Sequence, residues 1–134
     1  MHPPRGDRVA RVRLLAVLTF PDTDELEVHL TYDGRRVIGR SVASNGILAV
    51  VEAMVDGLKM FVPKLAFTPS WARLLNDERS HDPHLVACEL IAPDESRRLG
   101  IASGASAIEA AARATLHALN RSISQHLAGA AEPA

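Results

Sequence analysis

The segment His81-Asp82-Pro83-His84 packs two imidazoles and a carboxylate into four residues. Those donors suit Zn²⁺ or Ni²⁺. A closed site needs further ligands from a second segment, and no Cys- or Glu-rich stretch supplies them. The cluster therefore reads as a solvated loop, and no metal is expected. The single cysteine, Cys88, lies in an apolar run without a nearby histidine or basic activator, which predicts a buried, inert thiol. Ser41, Ser44, Ser103 and Ser106 are nucleophiles by type, but none stands in a G-x-S-x-G turn, and caps and turns account for them. His29 falls on the polar side of a strand pattern and His117 on the polar flank of a helix pattern, and both read as surface groups. Gly100 and Gly104 echo part of a phosphate loop without its Lys-Ser/Thr ending. No catalytic residue and no cofactor is expected.

The remaining chemistry is binding. Backbone amides that open a helix lack partners and carry positive partial charge, so they can seat a carboxylate. Two segments end in small or capping residues just before a helical pattern. They nominate Ser44, Asn45 and Gly46 in one place, and Ser103, Gly104 and Ser106 in the other, as candidate ligand-binding residues.

The two segments belong to a repeat. A shift of 61 places Gly39 on Gly100, Ile47 on Ile108, Ala49 on Ala110, Ala53 on Ala114 and Leu58 on Leu119, without a gap. In the second copy Ser106 and Glu109 form a capping box. The apolar stripe Ile108, Ala112, Leu116, Leu119 and Ile123 follows it. In the first copy Asn45 takes the cap position, and the stripe is Ile47, Val51, Met54, Leu58 and Phe61. Pro63 predicts a helix end near Val62.

Strands precede each helix. Leu26, Val28, Leu30 and Tyr32 alternate with polar residues, and Asp33-Gly34 is a hairpin signal leading to a return strand over 35–42. In the second copy the strands are 85–92 and 97–102, with a turn one residue longer. Val9–Phe20 is expected to open the first copy and Lys64–Thr68 the second. The stretch 69–83 shows no strand pattern, and Pro69 with Thr68 as cap predicts a short helix through Asn76. Within that stretch Trp71 either plugs the core or lines a partner surface. The expected fold is α+β: a two-layer sandwich of duplicated βββα units, with an antiparallel sheet and two helices on one face. The halves would be 9–62 and 63–127, with loose termini at 1–8 and 128–134. The uncovered sheet face calls for a second subunit.

Composition sets the bounds. The chain has 134 residues, 47% of them apolar, enough for one core. A net charge of −1 offers nothing global to nucleic acid or an anionic membrane. The local excess of Arg5, Arg8, Arg11 and Arg13 reads as a solvated edge. No signal peptide or membrane-length apolar run is visible, so a soluble cytoplasmic protein is expected.

The segments GRSVASNGILAVVEAMVDGL and GIASGASAIEAAARATLHALNRSI resemble the C-terminal regulatory domain of 2-isopropylmalate synthase, with relatives in homocitrate and citramalate synthases. The features that match are the Asn45-Gly46 turn, the run Ala118-Leu119-Asn120-Arg121, and a basic residue at Arg113. The resemblance implies two βββα units, pairing with a second copy, and binding of an end-product amino acid that inhibits a separate catalytic barrel. Ile47 and Ala49 stand where the family usually has a proline and an acid, and Ser106 where it usually has aspartate. Those missing acids predict either weaker binding than in a leucine sensor or a ligand without an amino group, such as a keto acid, held at a subunit interface. No catalytic barrel accompanies the segment, so the expectation is a stand-alone regulatory module, homodimeric or joined to a synthase-type enzyme. The alternatives are a structural dimerisation module without a ligand and a small enzyme reusing the fold.

Overall fold

Asp33 and Gly34 both have positive φ, 50° and 79°, the geometry of a tight two-residue hairpin turn. They join β2 (Glu25–Tyr32) to β3 (Arg35–Val42), and β1 (Arg13–Phe20) pairs with the other side of β2. The computed structural model describes residues 11–76 and 83–131. A short 3₁₀ turn, Ala43–Asn45, leads into α1 (Ile47–Phe61). The pattern then repeats as β4 (Thr68–Leu74), β5 (His84–Ile91), β6 (Arg97–Gly104) and α2 (Ala107–Ala131). The protein is thus an α+β fold of two βββα units. Its strands form two three-stranded antiparallel sheets, ordered β1-β2-β3 and β4-β5-β6, each with its own helix. The helices also pack on each other, and each reaches across to the other unit's first strand, α1 to β4 and α2 to β1.

The fourth strand corrects two expectations. Lys64 lies in a turn rather than a strand, and Pro69–Asn76 does not form a helix capped by Thr68. Thr68–Leu74 is instead an edge strand paired with β5. Proline is tolerated at a strand's edge and at a bulge, and Pro69 borders the irregularity between Pro69 and Trp71. Pairing with Val86, Cys88 and Leu90 decided the conformation over the local helix-start signal. The first strand has the same irregularity between Leu14 and Ala16, 55 positions earlier. That strand is paired only from Arg13; Val12 before it is buried in coil form, and Val9 lies outside the described residues. The expected termini 1–8 and 132–134 lie outside them too, while α2 continues to Ala131.

The repeat has a physical cause at its glycines. A methyl group on Gly39 would overlap the Ala53 carbonyl oxygen and sit 2.5 Å from the Gly57 nitrogen. On Gly100 it would overlap the Ala114 carbonyl and sit 2.7 Å from the Ala118 nitrogen. In each unit, therefore, the helix backbone rests directly on the last strand. Each helix also covers that strand's free edge. Asp56 on α1 accepts the Arg40 amide at 2.9 Å, and His117 Nδ1 on α2 lies 3.0 Å from the Ile101 amide. These pairs are again 61 apart. His117 thus pairs a strand-edge amide while remaining the exposed surface group that the sequence predicts.

The core follows the same repeat. Ala49, Val50, Val51, Ala53, Met54 and Leu58 are fully buried on α1, as are Ala110, Ala111, Ala112, Ala114, Thr115 and Leu119 on α2. The buried band is wider than either predicted stripe, because each helix touches both a sheet and the other helix. Val28 and Cys88 occupy matching central positions, 60 apart. The shift becomes 61 after the second hairpin, where its turn holds one more residue.

Candidate functional site

The start of α2 carries its own carboxylate. Ser106 Oγ accepts the Glu109 amide at 3.2 Å. Glu109 Oε2 accepts the Ala105 amide at 2.6 Å, one residue earlier than a reciprocal capping box would have it. Glu109 Oε1 lies 3.3 Å from Arg113 Nη2. The Ala105 amide first, and Arg113 second, hold the Glu109 carboxyl below its usual range. Gly104 permits this arrangement, since a methyl there would come within 3.0 Å of Glu109 Oε2 and 2.7 Å of the Ala110 amide.

The sign of the resulting pH dependence is fixed. A folded-state value below the unfolded one stabilises the fold above the ordinary glutamate pKa of about 4.3, and the benefit fades as pH falls through the lowered value. Glu109→Gln is therefore expected to flatten the acid side of the stability profile below about pH 5. Urea unfolding at stepped pH checks this; parallel profiles for the two proteins count against it.

Beside Ser106 opens a cleft of about 430 Å³ between α2 and the β1 bulge. Leu14, Leu15, Ala16, Val17 and Ile108 supply an apolar wall, with Ser106, Glu109 and Arg113 at the polar end. Of the second nominated group, only Ser106 lines this cleft. Ser103 is exposed on the side of β6 away from the core, and Gly104 serves the turn.

The start of α1 differs. Asn45 does not cap the helix; Gly46, at φ 70° and ψ −144°, holds the cap position with no side-chain cap bond. That backbone region belongs to glycine. The Asn45 side-chain Nδ2 instead donates to Glu52 at 3.0 Å, and the Gly46 backbone amide is taken by the Ala43 carbonyl at 3.1 Å. Ser44 is exposed. Asn45 lines a separate cleft of about 480 Å³ between α1 and β4, with Arg40, Glu52, Asp56, Lys59 and Thr68. The six nominated residues therefore do not converge on one site. Glu109 and Arg113 were legible as capping-box partner and basic position. The β1 wall was not, because nothing local brings residues 14–17 to residue 106.

Other candidates resolve as follows. Cys88 is buried between Thr115 and Gly100, and burial pushes its thiol pKa up, as an inert core cysteine requires. His81 and Asp82 lie outside the described residues, among which no group of three or more His, Cys, Asp or Glu could hold a metal. His29 Nε2 lies 3.1 Å from Glu27, which Arg40 also contacts at 3.3 Å. Trp71 is half-buried opposite Glu89, facing away from the helices, with the Arg73 guanidinium 5.3 Å over its ring. It therefore does not plug the core. No helix of the described residues is long and apolar enough to cross a membrane. Comparison with protein-family models and with curated proteins gives no match for this chain.

Proposed function

We propose that the protein is a cytoplasmic, non-catalytic regulatory module that binds a small aliphatic carboxylic acid, preferably a branched-chain keto acid, and acts as a dimer or with a synthase-type enzyme. One observation carries the ligand reading: the cleft between β1 and α2 joins an aliphatic wall to a guanidinium and a helix start. Arg113, half exposed, can pair a ligand carboxylate while Leu14, Leu15 and Ile108 take its branched tail. Among the described lining residues Glu109 is the one carboxylate, and it is already engaged by the Ala105 amide and Arg113, which favours the keto acid over the amino acid.

Calorimetry against leucine, isoleucine, valine and their keto acids tests this. The expected result is binding of at least one keto acid, with Arg113→Ala weakening it by about tenfold, the loss of one charge-assisted pair. At 100 times its Kd the ligand stabilises the fold by about 2.7 kcal/mol. Tight leucine binding would sink the preference for a ligand without an amino group. A second reading, a structural dimerisation module, is favoured by Glu109, which already occupies the Ala105 amide that a ligand carboxylate would use. No heat with any of the six compounds decides for it.

A further inference from the structure

The run Ala118-Leu119-Asn120-Arg121 contributes Leu119 to the core, but its last two residues have no structural task of that kind: both are exposed. They line a cleft of about 380 Å³ between the segment entering β1 and the second half of α2. Buried Val12 and Ile123 border it, while Arg11, Asn120, Arg121, Ser124 and Gln125 supply its polar groups. The clefts beside Asn45 and Ser106 both have carboxylates in their walls. This one has none among its described lining residues, and neither Arg11 nor Arg121 forms an ion pair among the described residues.

We propose that this cleft is an anion site, separate from the cleft beside Ser106, for a small organic polyanion with carboxylate or phosphate oxygens. The two arginines present planar forks that match such oxygens in pairs. Asn120, Gln125 and Ser124 add neutral donors that can turn to the same anion. The helix dipole does not oppose it, because its negative end is felt only in the last turn, beyond Leu127. With a net charge of −1 the protein has no general attraction for anions, so the selectivity is local.

Thermal unfolding of the full chain in low-millimolar citrate, pyrophosphate or chloride, at matched ionic strength, tests the assignment. The two polyanions stand for the carboxylate and phosphate sources, and the larger rise in midpoint identifies the chemistry. The expected result is a rise in at least one polyanion over chloride. Titration calorimetry should then give affinity roughly tenfold weaker in Arg11→Ala and in Arg121→Ala, each losing a charge-assisted pair. Arg73→Ala, on β4 in the other sheet from the one Arg11 enters, should bind like wild type. Arg113→Ala should also retain polyanion binding, which keeps this site distinct from the keto-acid cleft. Equal midpoints in all three salts overturn the proposal. So does a rise that persists in both arginine variants, since polyanions also stabilise folds by exclusion from the surface.

Discussion

Gly100→Ala is expected to destabilise the protein by roughly 3–5 kcal/mol, and Gly39→Ala by a similar amount, as overpacking that the fold cannot relieve. The obstacle in each case is backbone: the Ala114 carbonyl and Ala118 nitrogen for Gly100, the Ala53 carbonyl and Gly57 nitrogen for Gly39. A side chain can rotate away from a new methyl, but a helix must move bodily off its sheet. That movement would loosen the fully buried residues on the same helix, Ala110, Ala114 and Leu119 in the second unit. A domain of this size has only about 5–15 kcal/mol of stability in total, so either substitution removes a large share. The repeat supplies the control. Gly57 corresponds to Ala118, and a methyl on Gly57 meets Leu30 Cδ1 at 3.1 Å and the Gly39 nitrogen at 3.2 Å, contacts that a small shift relieves. Gly57→Ala should therefore change stability by no more than about 1 kcal/mol, since alanine's better helix propensity offsets the crowding. Urea unfolding of the three variants checks the ranking. A loss below about 1 kcal/mol for both Gly39→Ala and Gly100→Ala would refute the account of the repeat.

Replacing Leu99 and Ile101 together by aspartate is expected to convert the proposed dimer into a monomer. Both residues point away from the helices on β6, and they are 64% and 46% exposed, beside half-buried Trp71 and Ile91. The other sheet presents Leu18, Phe20 and Val42 on its corresponding face. Apolar residues gathered on one sheet face mark an association surface, whereas the same residues scattered singly would not. Glu89, only 5% exposed, is tied to Arg97 at 2.8 Å within this face, so its charge is already neutralised for burial against a second copy. Each large aliphatic side chain covered contributes about 1.5–3 kcal/mol, and the double change should weaken association by a hundredfold or more. Light scattering across a concentration series measures it. Lys59→Glu, on an exposed stretch of α1, should leave association unchanged. A wild-type protein that is monomeric at tens of micromolar, with no partner protein found, would remove the basis for the prediction.

The period of the residues alone determined much of the fold. Alternation in Leu26–Tyr32, the Asp33-Gly34 turn, the Ser106–Glu109 cap and the 61-residue shift predict two βββα units, and the structure has them. These signals act within a few residues, where side-chain direction and capping are set by local geometry. Tertiary structure decided the rest. Thr68–Leu74 became a strand because β5 offered an edge, although Pro69 and Thr68 by themselves resemble a helix start. Asn45 turned to Glu52 and left the cap to Gly46, because the 3₁₀ turn before α1 brings the chain in at a positive φ. The amides before α2 were legible as an anion seat, but Glu109 fills part of it, and only the packed turn shows which amide it takes. The clefts lie between units, where α2 meets β1 and α1 meets β4. In the cleft beside Ser106 the contacts join residues some ninety positions apart, which leave no periodic trace in either segment, so its wall exists only once the two halves have packed.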